Sequence, residues 1–316
     1  MTGKHKISGA GGHMQGRQTE QMSAEYLGLD TWPDERALAA MLEAQARGVA
    51  SVRNAFADIA TAATLVADRI RRGGRLIYAG AGSSGLIAKL DAHELPATFG
   101  IPHDQALALI AGGSGTFERI NNKMEDSAPQ AAIDLASVKA GPEDVVIGIA
   151  ASGSTIYTCA ALIEARRLGA ATIGIACNEN APIFDAADVA IRLLSGPEVL
   201  AGSTRMAAGT AQKAALNLLS TLAAIKLGHV YDGMMVNMRA ENEKLRERAA
   251  HIVARAAKVD LELARVKLIE AKFEPKIAIL LAAGASDDAH AAQLLQQEQG
   301  NLRRALACLG AAPSKA

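Results

Sequence analysis

Across residues 34–70 the apolar positions, mostly Ala and Leu, recur at intervals of three and four, the spacing that gathers them on one stripe of an α-helix. Long helices are expected there, stopped by the run Arg71-Arg72-Gly73-Gly74. The pattern then changes to short apolar runs without polar alternation: RLIYA at 75–79, ALALIA at 106–111, VVIGIA at 145–150, ATIGIA at 171–176 and VAIRLL at 189–194. Such runs suit strands covered on both faces. Helical stretches fall between them. One follows the first run and is expected to end at Pro96, one after the Gly112-Gly113 turn contains Glu118 and Glu125, and one reaches Leu168. Strands alternating with helices imply an α/β fold, a doubly wound parallel sheet flanked by helices. Beyond the sheet, 209–226 reads as another long helix and the tail from Ala240 as helical, with Pro275 a helix start or break and a small appended bundle over 260–309. The expected division is an N-terminal helical segment at 14–65, the sheet domain at 66–229 and a C-terminal helical region at 230–316. Residues 1–13, Gly-rich and containing Gly-Gly-His, read as an expression remnant preceding a start near Met14.

Composition narrows the chemistry. Half of the residues are hydrophobic and only 3% aromatic, so the core is built from Ala, Leu, Ile and Val. Lys and Arg total 33, as do Asp and Glu, which recommends neither nucleic acid nor an anionic membrane as a partner. No apolar stretch is long enough for a transmembrane helix. Arg69, Arg71, Arg72 and Arg75, interrupted by glycines, read as a solvated helix end. Cys159, Cys177 and Cys308 are far apart and form no C-x-x-C, which suits buried reduced thiols in a cytoplasmic protein. The seven histidines show no zinc-ligand spacing, so no metal is expected.

Two loops of similar plan follow the first and third strand runs: GAGSSG at 80–85 and ASGST at 151–155. Gly80, Gly82 and Gly85 fit the G-x-G-x-x-G spacing. A dinucleotide site, however, needs an acidic residue for the ribose at the end of the second strand, and that strand ends in glycines, with Asp104 before it. A Walker loop is absent because no Gly-Lys-Ser or Gly-Lys-Thr follows, and GSSG and ASGS lack the spacing of a nucleophile elbow. The reading left is a monophosphate cradle, in which Ser83, Ser84, Ser152, Ser154 and Thr155 and the backbone at Gly82 and Gly153 surround an anion at helix N-termini. Each loop alone is equally readable as N-caps and tight turns; two such loops on one sheet favour the phosphate. Asp91 and Glu94 share a helix face, yet by spacing alone Glu94 is a solvated surface residue, and so is Glu125 in KMEDSAP.

The segments GGRLIYAGAGSSG, LDAHELPATFG, LIAGG, EDS, VVIGIAASGSTIY, GSTRMAAGTAQK and NEKL fall in an order and spacing that resemble the N-acetylmuramic acid 6-phosphate etherases, bacterial peptidoglycan-recycling enzymes of the sugar isomerase (SIS) fold, over residues 19–306. The resemblance implies a lyase that cleaves the D-lactyl ether to N-acetylglucosamine 6-phosphate and D-lactate, with Glu94 as proton donor and Glu125 as the second catalytic glutamate. It also implies substrate binding by Ser203 and Lys213, no cofactor, and a homodimer with sites near the interface. Where the family usually has Arg, Ser, Pro and Lys, this chain has Leu86, His93, Ala97 and Ala207. Two alternatives use the same loops: a non-catalytic sugar-phosphate sensor resembling the glucokinase regulatory protein, which has no need of both glutamates, and an aldose–ketose isomerase, which abstracts the C2 proton without losing lactate.

Overall fold

The computed structural model describes residues 17–113 and 122–311; the 1–13 segment and Glu118 lie outside them. Helices α1 (Asp34–Ser51) and α2 (Phe56–Arg71), joined by one 3-10 turn, precede the sheet. The alternation then runs β1 (Leu76–Gly80), α3 (Gly82–Phe99), β2 (Ala106–Ile110), a 3-10 helix (Asn122–Asp126), α4 (Ala128–Ser137), β3 (Val145–Ile149), α5 (Ile156–Arg167), β4 (Ala171–Ala176) and β5 (Val189–Arg192). Helix α6 (Ala207–Lys226) and a two-stranded hairpin, β6 (Val230–Tyr231) and β7 (Met234–Met235), lead to α7 (Glu243–Ala257), α8 (Leu261–Glu270), α9 (Pro275–Ala282), α10 (Asp288–Gln297) and α11 (Leu302–Ala311).

The five long strands are parallel in the order β2-β1-β3-β4-β5. Successive residues face opposite sides, and both sides are covered. Leu76, Tyr78, Ile147 and Ile173 pack with α2, α3 and α6, while Ile77, Ala79 and Val146 pack with α4 and α5. This double burial is why the strands lack polar alternation. The strand order reverses between β1 and β3, whose last residues, Gly80 and Ile149, are register partners. The crevice beyond that pair is where open α/β sheets bind ligands.

Glycines let α3 start hard against the sheet. A Cβ on Gly85 would lie 3.0 Å from both the Gly80 carbonyl carbon and Ile110 Cγ2. At its other end α3 differs from expectation, running through Pro96 to Phe99. Buried Leu95 and Phe99 pin this last turn, and left-handed Gly100 closes it with an N–H bond to the Pro96 carbonyl. The arginines are also not merely solvated. Arg75 pairs with Asp144 at 2.6 Å and donates to the Val138 and Lys139 carbonyls, and Arg69 bonds the Pro142 carbonyl. A second apolar cluster, from Val236 to Ala305, takes in α7 as well as the later helices, so this core begins earlier than the 260–309 pattern suggests. Of the cysteines, Cys177 is buried, Cys159 partly so, and Cys308 exposed on α11, where the alanine-rich surroundings do not translate into burial.

Candidate active site

The two Ser/Gly loops meet at the reversal point because β1 and β3 are hydrogen-bonded neighbours. Gly82 opens α3 at φ +51°, and its N-cap, Ala81, offers no side-chain cap; Thr155, the N-cap of α5, makes no cap bond either. By contrast α4, α7, α8 and α10 are capped by Ser127, Asn242, Asp260 and Asp287. Among the described residues the first-turn N–H groups of α3 and α5 thus have no side-chain acceptors at one edge of the sheet, an arrangement that favours an anion.

The serines divide. Ser83, Ser154 and Thr155 are partly exposed. Ser152 Oγ accepts from the Ser154 N–H at 3.3 Å and the Ser154 hydroxyl at 3.2 Å, closing a tight turn around Gly153. Ser84 is buried, and its hydroxyl donates to Gln212 Oε1 at 2.9 Å, tying the first loop to α6. Gln212 is fully buried, and its Nε2 has no partner among the described residues. Ser203 lies in the turn before α6, whose first N–H groups, those of Ala207 and Ala208, are held at 2.9 Å each by the buried carboxylate of Glu198. Ala207 is fully buried, Leu86 half-buried, and His93 and Ala97 exposed.

Glu125 sits in the 3-10 helix rather than a longer one, with Oε1 3.0 Å from where a Cβ on Gly82 would stand. Its carboxylate therefore lies against the N-terminus of α3, beside the first Ser/Gly loop. Burial raises its pKa above the ordinary glutamate value, and neighbouring Asp126 adds to the rise. Glu94 is exposed near the other end of α3, 3.3 Å from Lys213 Nζ. Twelve residues separate it from Gly82, about 18 Å along the helix axis. With Glu125 Oε1 placed within about 5 Å of the Gly82 Cα, and the Glu94 side chain reaching about 5 Å from its own Cα, the two carboxylates of one chain stand at least about 8 Å apart in this arrangement.

Behind Glu94 lies a buried network that spacing did not reveal. Asp91, 1% exposed, accepts from Tyr78 Oη at 2.6 Å, Asn217 Nδ2 at 3.1 Å and Ser220 Oγ at 3.2 Å. Burial raises its pKa against the opposing effect of these bonds. Asn217 Oδ1 in turn accepts from Lys213 Nζ at 2.7 Å. Of the missed residues, Gln212 and Asn217, polar groups inside the apolar pattern of α6, carry that pattern break as the one signal the sequence offered; Glu198, in the irregular segment between β5 and α6, carries none, and Asp91 is marked in the sequence only by sharing a helix face with Glu94. Among the described residues no three His, Cys, Asp or Glu side chains cluster as metal ligands, and no helix is long and apolar enough to cross a membrane. Two clefts, of ≈ 500 Å³ beside Asn237 and Lys276 and ≈ 570 Å³ beside Tyr26 and Met41, contain neither Glu94 nor Glu125 nor any residue of the two Ser/Gly loops.

The SIS domain model matches residues 113–222, and the model of the glucokinase regulatory protein N-terminal SIS domain matches residues 58–166. Proteins named N-acetylmuramic acid 6-phosphate etherase are similar over much more. That of Mycolicibacterium smegmatis is 43% identical, covering 92% of this chain and 97% of its own. That of Serratia proteamaculans is 41% identical over 91% and 97%, and that of Symbiobacterium thermophilum 51% identical over 73% and 76%. Identity at this level along nearly the whole length shows the family: this chain belongs to the N-acetylmuramic acid 6-phosphate etherases.

Proposed function

We propose that the protein cleaves the D-lactyl ether of N-acetylmuramic acid 6-phosphate, releasing D-lactate and N-acetylglucosamine 6-phosphate. The observation that carries the reading is a carboxylate, Glu125, set beside two helix N-termini that lack side-chain caps at the sheet's reversal point. The 6-phosphate lies against Ser83, Ser152, Ser154, Thr155 and the N–H groups of α3 and α5, with Gly82 and Gly153 allowing close approach. Ser84 shapes the loop through Gln212, whose free amide donor supplies a further contact. In the open-chain sugar C2 is α to the aldehyde. Glu125 removes the C2 proton, the carbonyl takes up the electron pair as an enolate, and the enolate expels the lactyl oxygen from C3 as Glu94 protonates it. Glu94, now a carboxylate, then takes a proton from water as it adds at C3 of the unsaturated aldehyde, and Glu125 returns its proton to C2 of the resulting enolate, which restores the aldehyde and both groups' starting states. General acid–base help of this kind is worth roughly a hundred- to ten-thousand-fold per group.

Two groups acting on C2–H and the oxygen on C3 stand at most about 8 Å apart, so one chain could bring Glu94 and Glu125 together only at full stretch. This supports a homodimer in which Glu94 of one copy faces the cradle of the other. Leu90 and Leu218, 47% and 44% exposed on α3 and α6, supply apolar surface on the same two helices as Glu94 and Lys213. A cytoplasmic location, the division at 66–229 and 230–316, and the absence of any cofactor belong to the same reading.

The test follows D-lactate release alongside solvent deuterium incorporation at C2. Glu125→Gln abolishes both; Glu94→Gln stops lactate release but leaves exchange. Subunits of the two variants, mixed and allowed to exchange, regain about a quarter of wild-type activity, since half the dimers are hybrids with one intact site of two. Unchanged turnover in both variants rejects the etherase mechanism, and no recovery on mixing rejects the shared site.

A further inference from the structure

Lys213 is held from behind. Asn217 can present only its carbonyl to the ammonium and only its amide N–H to the Asp91 carboxylate, so its orientation is fixed by its two neighbours. Asp91 is fixed in turn by Tyr78 from the centre of β1 and by Ser220. The ammonium therefore stands at a set place, its side chain 33% exposed, with one N–H on Asn217, one toward Glu94 and one more to give.

The group it faces is set by the chemistry at Glu94. An acid that protonates the ether oxygen lies within hydrogen-bond reach of it. The lactyl carboxyl carbon is two bonds from that same oxygen. A cation 3.3 Å from the acid thus stands within reach of the substrate's second anionic group. Charge points the same way. When Glu94 carries the proton it is about to deliver it is neutral, and Lys213 loses the anion it holds in the free protein; the incoming carboxylate restores one.

We propose that Lys213 is the specificity residue that pairs with the D-lactyl carboxylate, and that Asn217 and Asp91 are positioning residues that hold it for that role. The inference rests on the reading of Glu94 as the acid at the lactyl ether. It assigns this chain a means of telling an ether-linked acid from a plain sugar phosphate, which carries no such group.

The experiment compares binding of N-acetylmuramic acid 6-phosphate, its lactyl amide and N-acetylglucosamine 6-phosphate by calorimetry to the full-length protein carrying Glu125→Gln, which does not turn the substrate over, and the further substitutions are made in that background. With Lys213 in place the protein is expected to prefer the acid to the amide by about ten- to a hundred-fold, the worth of a hydrogen bond to a charged partner. Lys213→Met loses that preference while its affinity for N-acetylglucosamine 6-phosphate changes by less than about threefold. Lys213→Arg keeps most of the preference, and Asn217→Ala loses part of it with unchanged binding of the plain sugar phosphate. Equal loss of all three ligands in Lys213→Met, or an undiminished preference for the acid, overturns the assignment. Because these are binding measurements, they decide the role of Lys213 even if wild type releases no lactate, the result that would instead bring down the etherase mechanism.

Discussion

Replacing Gly153 by Ala tests how the second loop is built. Gly153 has φ +69°, and its N–H and carbonyl bond Ala150 and Ile183. A Cβ here would lie 2.3 Å from the Ala181 Cβ and 2.8 Å from the Ala176 Cβ, both atoms of buried residues on packed backbone. The left-handed conformation costs a non-glycine residue about 1–2 kcal/mol. Forcing a methyl into a filled site costs about 1–3 kcal/mol more. The sum, about 2–5 kcal/mol, lowers the melting temperature by about 4–10 °C in a chain of this size. Because the strain is relieved by shifting Ser152 and Ser154, KM for the phosphosugar rises as well. Gly73→Ala is the control. Gly73 has φ +85° but nothing within 4 Å of its Cβ position, so it loses only the backbone share and leaves KM alone. Adding Ala181→Gly to Gly153→Ala removes the nearer clash and recovers part of the stability. Thermal melts and initial rates decide it. A Gly153→Ala protein that melts within about 1 °C of wild type with unchanged KM refutes the packing argument.

The acid limb of kcat/KM should lie above the ordinary glutamate range, because burial raises Glu125 and a base must be deprotonated to work; activity is present above that raised value and lost as pH falls through it. Asp126→Asn removes the neighbouring charge and should move the limb to lower pH, and an unmoved limb would remove Glu125 from the role of base. Burial pushes the Cys177 thiol up to about 12 and that of Cys159 to about 11, whereas Cys308 is exposed. Native protein at mildly alkaline pH should therefore release the Ellman chromophore quickly from Cys308 alone and from all three cysteines only in denaturant; two fast thiols would contradict the packing around Cys159.

What the sequence revealed and what it hid differ in kind. The strands were legible because burial on both faces leaves a local mark, an unbroken apolar run, and the two Ser/Gly loops because small residues at strand ends mark a backbone that must turn sharply into a helix. Pro96 misled, since a proline's local preference against a helix interior was overridden by Leu95 and Phe99 packed around it. The polar interior left no such mark. Ser84 meets Gln212, Asp91 meets Asn217 and Glu94 meets Lys213 across separations of 128, 126 and 119 residues, and nothing near either partner announces the other. The two glutamates show the limit most clearly. Glu94 and Glu125 are separated by 31 positions, a spacing that says nothing about distance, and a family pattern that names both says nothing about which end of a helix each occupies. Distance appears only once α3 is seen as a rod of about 1.5 Å per residue with Glu125 at its first turn and Glu94 near its last. At that point a pairing that looks intramolecular in the sequence becomes, in the structure, an argument for a second chain.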